Sequence, residues 1–165
     1  MSRIVRLVSI TKQDVALIER WLRAPHVRRW WGEPDEAVGE TEAKLGVEGR
    51  ALIEVDGRKV GLVIWGHPSR EELDEAGLHD ISTDAIDLDV MIGELDAVGH
   101  GVGREALRQA IDRIFNDPAV PYVIGATSAD NAPARAAAQK AGFDTSREFE
   151  DPSSGRYVLG VRRRT

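Results

Sequence analysis

The spacing of hydrophobic residues changes several times along the chain, and these changes predict alternating strands and helices. Weak alternation over residues 4–8 predicts a first strand, and apolar residues at helical spacing over 15–22 predict a helix that Pro25 ends. The elements predicted after it are a short helix over 26–31, a β-hairpin over 51–55 and 59–64, an acidic loop over 67–84, a strand over 86–92, a helix that follows Gly99 and ends near Phe115, a strand over 122–124, a helix over 132–141, and two closing strands around 151–155. This order predicts an α/β fold in one domain covering residues 1–165.

The strand predicted over residues 86–92 carries two carboxylates. Because side chains alternate along a strand, Asp87 and Asp89 share one face, opposite Leu88 and Val90. Two carboxylates on one face can hold a cation, although an exposed acidic face without a function fits the same pattern.

A glycine-rich turn follows this strand and leads into a predicted helix. Glycines at 99, 101 and 103 allow backbone N–H groups to approach a ligand closely, and the helix N-terminus attracts negative charge. The pattern is not that of a dinucleotide site, because position 104 is Arg rather than Gly, and no Gly-Lys-Ser/Thr sequence follows as in a Walker loop. The turn is therefore predicted to bind an anion of another kind.

Composition narrows the class of protein. The chain has 165 residues, no cysteine and a net charge of −6, which excludes disulfide scaffolds, thiolate metal sites and a cysteine nucleophile. Between residues 65 and 96 there are ten acidic residues and a single arginine. This balance repels nucleic acid and favours a cationic partner, although a solvated acidic loop that only keeps the protein in solution fits the same charge pattern. With no long apolar run and no secretory pattern, we expect no membrane contact and a cytoplasmic protein.

The stretch from Asp87 to Phe143 resembles the GNAT family of acetyl-CoA-dependent N-acetyltransferases. The matching features are the strand and glycine turn, then the segments Asn131-Ala132-Pro133 and Lys140-Ala141-Gly142-Phe143. The resemblance implies a single-domain GNAT fold with a mixed, mostly antiparallel central sheet flanked by helices. It also implies acetyl-CoA as co-substrate and no metal.

The resemblance assigns the cofactor-binding positions by the part of acetyl-CoA that each contacts. The strand edge would pair with the pantetheine arm, the turn would hold the pyrophosphate, Asn131 would contact an amide, and Lys140 would lie near phosphates. The residues of the edge and the turn are Met91, Ile92, Gly93, Gly99, His100, Gly101, Val102, Gly103 and Arg104.

The segments Glu19-Arg20-Trp21-Leu22, Trp30-Trp31-Gly32 and Phe115-Asn116-Asp117-Pro118 are similar to those of aminoglycoside 6′-N-acetyltransferases. In this subgroup a strand aspartate faces the acceptor amine, which implies that Asp89 is catalytic. Asp87 lies on the same face and is a candidate for substrate binding. Trp30 and Trp31 would point about 100° apart on a helix, so one of them is expected in the core and the other at the acceptor pocket, where it could stack on the substrate. The chain departs from the pattern at Val98 and His100 in the turn region, and at two positions that bear on catalysis and substrate. Ala138 replaces a tyrosine that protonates the leaving thiolate, and Ala126 replaces a second acidic residue.

We therefore expect an enzyme that acetylates a primary amine of a cationic small molecule, with aminoglycosides among the candidates. Since no cysteine can carry an acetyl group, amine and thioester are expected to meet in one ternary complex. Two alternatives stay open: an acceptor that is a protein N-terminus, a lysine or a siderophore amine, and a non-catalytic acyl-CoA-binding domain. The pattern does not distinguish a monomer from a homodimer.

Overall fold

Seven β-strands pair into one sheet in the computed structural model, which describes residues 3–43, 49–152 and 154–165. The strands are β1 (Val5–Val8), β2 (Arg50–Val55), β3 (Arg58–Gly66), β4 (Ile86–Ile92), β5 (Tyr122–Ser128), β6 (Asp144–Asp151) and β7 (Gly155–Arg163). Their order is β1-β2-β3-β4-β5-β7-β6. β4 and β5 are parallel, whereas β1 with β2, β2 with β3, β5 with β7 and β6 with β7 are antiparallel. The predicted α/β fold with a mixed, mostly antiparallel sheet is confirmed.

The described part of the chain also contains six α-helices. They are α1 (Val15–Arg23), α2 (Pro25–Trp31), α3 (Pro34–Ala43), α4 (Arg70–Glu75), α5 (Val102–Ile114) and α6 (Ala132–Lys140). The sequence left the residues of α3 unassigned, and the prediction of a loop over 67–84 is wrong at α4. Ser69 caps α4 by accepting the Glu72 N–H at 3.0 Å, which favours a helix at this point. No helix in the described ranges is long and apolar enough to cross a membrane.

Packing divides the chain into two compact units, one of Met1–Ile64 with Val90–Ala106 and one of Trp65–Asp89 with Leu107–Thr165. Strands β1, β2 and most of β3 lie in the first unit, and β5, β6 and β7 lie in the second. β4 passes from the second unit into the first between Asp89 and Val90. The single domain expected over residues 1–165 stays a prediction.

The first unit is built around α1. The residues Thr11 and Asp14 form a capping box ahead of this helix, in which the Thr11 N–H and hydroxyl both donate to Asp14 Oδ2, at 2.8 and 2.9 Å. Lys59 of β3 donates to the other carboxylate oxygen at 2.5 Å, so the cap is tied to the sheet. The apolar side of the unit is formed by Ile18, Trp21, Leu22, Val27, Leu52, Leu62 and Met91.

The second unit has its own apolar cluster, to which the acidic stretch over residues 67–84 contributes. The cluster is formed by Leu73, Leu78, Ile81, Ala85, Ile124 and Leu159. Near the chain end, Arg164 donates to the backbone carbonyls of Phe115, Asp117 and Val120. Its guanidinium also lies 4.6 Å from the centre of the Phe115 ring. These contacts fix the connection between α5 and β5, and thereby support the strand beside β4.

Candidate active site

Asp87 and Asp89 lie on one face of β4 in the second unit, where the alternation of the strand predicted them. Both side chains are partly buried, while Leu88 on the opposite face is buried. Desolvation raises the pKa of both carboxyls, and for Asp87 the negative charges of Asp89 and Glu72 raise the pKa further. A carboxyl with a raised pKa is a stronger base than an ordinary aspartate, which suits a group that takes a proton from an amine.

The pairing between β4 and β5 ends before Asp89. The paired residues are Ile86 with Val123 and Asp87 with Ile124, so Asp89 lies two residues beyond the second pair. Upstream, His67 Nδ1 lies 3.1 Å from the carbonyl oxygens of both Thr83 and Ala85, which steadies the chain as it enters β4. The carboxyl of Asp89 thus stands on a supported strand beyond its pairing with β5.

The glycine turn has the predicted form in the first unit. Gly99 and Gly101 have φ angles of +83° and +77°, in the left-handed region that favours glycine, and α5 begins directly afterwards at Val102. Apart from the adjacent residues of the chain and the backbone of α5 itself, no described atom lies within 4 Å of the position that a Cβ would take at residues 99, 101 or 103. The backbone of the turn is therefore open to a ligand, as an anion site at a helix N-terminus requires.

The side chains of the turn divide between solvent and core. His100 and Arg104 are exposed, so both are free to meet an anion, whereas Val102 is buried and anchors the first turn of α5. Val102 can therefore contribute to a ligand only through its backbone.

The backbone of residues 91–93 is held by β3. The Gly93 N–H donates to the Val60 carbonyl at 2.7 Å, and the Met91 carbonyl lies against Gly61, where a Cβ would overlap it. Because backbone groups alternate along a strand, the N–H and carbonyl of Ile92 point away from β3. Of the three residues predicted to form the pantetheine edge, Ile92 alone turns its own backbone groups toward that side.

The two adjacent tryptophans of α2 have different surroundings within the first unit. Trp31 packs against the apolar cluster that contains Trp21 and Met91. Trp30 is half-buried, and the guanidinium of Arg29 lies 4.5 Å from its ring centre. A cation already rests on Trp30, which shows that this ring can take part in a cation–π contact.

Asn131 and Lys140 mark the two ends of α6 in the second unit. Asn131 caps the helix through Oδ1, which accepts the Ala134 N–H at 3.3 Å, so its amide NH₂ is the group left to donate to a ligand. Lys140 is exposed in the last turn. Ala138, the position where the resemblance expects tyrosine, is half-buried on the same helix.

One contact of this region was missed by sequence reasoning. The Nε2 atom of His26, in α2, lies 3.1 Å from the carbonyl oxygen of Ile92. The two residues are 66 positions apart, and no local pattern links them, so the sequence carried no signal for this contact.

A family model described as "Acetyltransferase (GNAT) domain" matches residues 11–151 of the chain. The protein therefore belongs to this family, and the predicted resemblance is confirmed. It is an N-acetyltransferase.

Among characterised proteins, the chain is similar to the "Aminoglycoside N(6')-acetyltransferase type 1" of Klebsiella pneumoniae. The two are 25% identical over 155 residues, which cover 85% of this chain and 74% of the relative. The Serratia marcescens protein of the same name matches to the same extent.

Two solved structures are similar in fold. AAC(6')-Ib in complex with paromomycin and acetyl-CoA superimposes with a TM-score of 0.76 at 23% identity, covering 99% of this chain and 94% of the other. The aminoglycoside N(6')-acetyltransferase of Legionella pneumophila gives a TM-score of 0.75 at 18% identity, covering 99% of this chain and 94% of the other.

Proposed function

We propose that this enzyme transfers the acetyl group of acetyl-CoA directly to a primary amine of a cationic small molecule. The observation that carries the proposal is the pair Asp87 and Asp89 on one face of β4, two partly buried carboxyls with raised pKa values. Names of the similar proteins support it, since they are aminoglycoside acetyltransferases and one was solved with acetyl-CoA. Aminoglycosides carry several ammonium groups, and such a cation suits an acidic site.

Acetyl-CoA supplies the thioester from which the acetyl group is taken. The open backbone at Gly99, Gly101 and Gly103 fits its pyrophosphate, since no described atom fills the space that their missing Cβ atoms leave. His100 and Arg104 are exposed beside it and can donate to phosphate oxygens. These features favour the turn as the site of the phosphates.

The arm of the cofactor is assigned to the strand edge and to α6. The Ile92 N–H points away from β3 and can donate to a carbonyl of the cofactor, while Met91 and Gly93 support this edge through their contacts with β3. Asn131 can donate through its amide NH₂. Lys140 is exposed and is assigned to the phosphates.

In the reaction, Asp89 holds the acceptor ammonium and takes one of its protons, directly or through a water molecule. The free amine attacks the carbonyl carbon of the thioester, and the C–S bond breaks with its electron pair on sulfur. The proton that the nitrogen loses as the amide forms passes to the sulfur, directly or through water, so free thiol is released. Asp87 is assigned to the same acceptor ammonium, whose positive charge favours the ionised form of this carboxyl. The ring of Trp30 is assigned to the ring of the acceptor, and Trp31, which packs against the apolar cluster, is assigned to support it. No acetyl-enzyme is formed at a thiol, because the sequence has no cysteine.

Release of free thiol from acetyl-CoA over a panel of amines tests the proposal. The panel contains aminoglycosides, linear polyamines, lysine peptides, a hydroxylamine, and neutral and acidic amines. We expect thiol release with cationic small molecules to exceed that with every other class. Greater activity with neutral or acidic acceptors would refute the cationic substrate and leave the acetyltransferase activity standing.

A further inference from the structure

The peptide between Ile92 and Gly93 is held at both ends within the first unit. Its N–H, which belongs to Gly93, donates to the Val60 carbonyl at 2.7 Å, and its carbonyl, which belongs to Ile92, lies 3.1 Å from His26 Nε2. In a trans peptide the N–H and the carbonyl point in opposite directions. β3 therefore holds one side of this peptide and α2 holds the other.

The proton of this contact can be assigned. A carbonyl oxygen only accepts hydrogen bonds, so Nε2 of His26 must carry the proton and donate it. His26 is half-buried in the first turn of α2, which Pro25 opens. Its side chain is therefore a directed donor supplied by a neighbouring helix.

The next residues are restrained as well. A Cβ at Gly93 would overlap the indole ring of Trp21, so only glycine allows the strand to lie on that ring. The Trp21 indole N–H donates to Glu94 at 3.1 Å, and the Glu94 N–H donates to Val60 at 3.1 Å. Trp21 and β3 therefore restrain the residues that follow Ile92. The carbonyl of Ile92 is the group of this peptide that β3 does not hold, and His26 fixes it.

We infer that His26 is a positioning residue for acetyl-CoA. By fixing the carbonyl of Ile92, it sets the angle of the neighbouring peptide, so that the Ile92 N–H is directed at the cofactor's carbonyl. It also occupies the Ile92 carbonyl, which leaves the N–H as the group through which this residue binds the cofactor. The inference rests on the proposed function, because it assumes that the pantetheine arm lies along this edge.

The experiment compares two variants that differ by one methylene group. His26→Gln places an amide NH₂ near the position of Nε2 and keeps the donor, whereas His26→Asn is too short to reach the Ile92 carbonyl. Calorimetry with acetyl-CoA is the first measurement, and initial rates are the second. We expect His26→Asn to raise the Kd and the KM for acetyl-CoA about tenfold, as expected when one buried hydrogen bond is lost. The KM for the amine and the kcat at saturation should change far less.

Rescue and control complete the test. His26→Gln should restore the affinity to within about threefold of the wild type, and His67→Asn, which removes a contact with two other backbone carbonyls, should leave it unchanged. If wild-type protein binds acetyl-CoA and His26→Asn binds it equally well, the inference is wrong and the proposed function stands. Equal weakening in the Gln and Asn variants would also overturn it. Failure of the wild type itself to bind acetyl-CoA would instead overturn the proposed function.

Discussion

Asp89 combines two properties that a general base at an amine site needs. It lies beyond the residues of β4 that pair with β5, and burial raises its pKa. Asp89→Asn keeps the size of the side chain but removes both the charge and the base, so kcat/KM for the best amine should fall about 10²-fold. The Kd for acetyl-CoA should stay within error of the wild-type value, measured by calorimetry.

A matched control for this variant exists in the same acidic segment. Asp84→Asn removes the same charge from an exposed residue and should keep most of the activity. If Asp89→Asn acetylates the amine at the wild-type rate, Asp89 is not the base, and Asp87 becomes the next residue to test.

Asp87 should make the free energy of unfolding depend on pH. Its pKa is raised in the folded state by burial and by the charges of Asp89 and Glu72, so the folded state holds the proton more tightly than the unfolded chain. The contribution of Asp87 to stability is therefore fully present at low pH and is lost as the pH rises through the folded-state pKa. Asp87→Asn should remove this loss, and its Tm should exceed that of the wild type more at pH 8 than at pH 5.

Asp80 serves as a control, because its contribution to stability should depend on pH in the opposite direction. A hydrogen bond from Arg147 lowers the pKa of Asp80 to about 2, so its contribution to stability is present at neutral pH and is lost in acid. Asp80→Asn should lower the Tm at neutral pH. An Asp87→Asn variant with the same pH profile of Tm as the wild type would contradict the assignment of a raised pKa.

At the scale of elements, the turn that opens α5 should control cofactor affinity. Gly101→Val adds bulk at a residue with positive φ, and Gly103→Val adds bulk without that strain. Both should weaken acetyl-CoA binding by an order of magnitude or more, because a side chain would block the approach of the pyrophosphate to the backbone. The wild type should gain about 2.7 kcal/mol of stability at a CoA concentration 100 times the Kd, and both variants should gain less.

Gly77→Val is the control for strain, since Gly77 also has a positive φ and open space around it, in the loop after α4. It should lower the Tm and leave the Kd for CoA unchanged. A folded Gly103→Val protein with wild-type affinity for acetyl-CoA would show that the phosphates bind elsewhere.

The elements that the sequence predicted well are those with a strong local signal. The strand Ile86–Ile92 and the turn that precedes Val102 follow directly from alternation and from glycine spacing. Helix α3 has few apolar residues, so its helical periodicity is weak. Helix α4 does have a sequence signal, the spacing of Ser69 and Glu72 that is typical of a helix N-terminus, but the acidic composition of the segment favoured a loop. The contact of His26 with Ile92 joins residues that only the fold brings together, and no local pattern can predict it.

At the scale of the whole molecule, the acidic residues should affect the KM for a cationic acceptor more than the KM for acetyl-CoA. The acidic residues between positions 65 and 96 are expected to attract polycations, although some of them are paired with arginines from outside this segment, as Asp80 is with Arg147. Salt screens such an attraction beyond about 8 Å at 0.15 M ionic strength. The KM for a multiply charged amine should therefore rise with salt, while the KM for acetyl-CoA changes less.

Two exposed glutamates of α4 allow a direct test of this effect. The double variant Glu71→Gln and Glu75→Gln should raise the KM for a polyamine and reduce its salt dependence, with little change for a small monoamine. A KM for the polyamine that is independent of salt in the wild type would contradict attraction by the acidic segment.

Direct transfer to the amine is the central claim, and initial rates measured while both substrates are varied test it most directly. With the best cationic amine from the panel, a ternary complex predicts double-reciprocal lines that intersect, and mass spectrometry should find one acetyl group on the amine and none retained on the protein. Parallel lines, or an acetyl group recovered on the protein, would contradict the account.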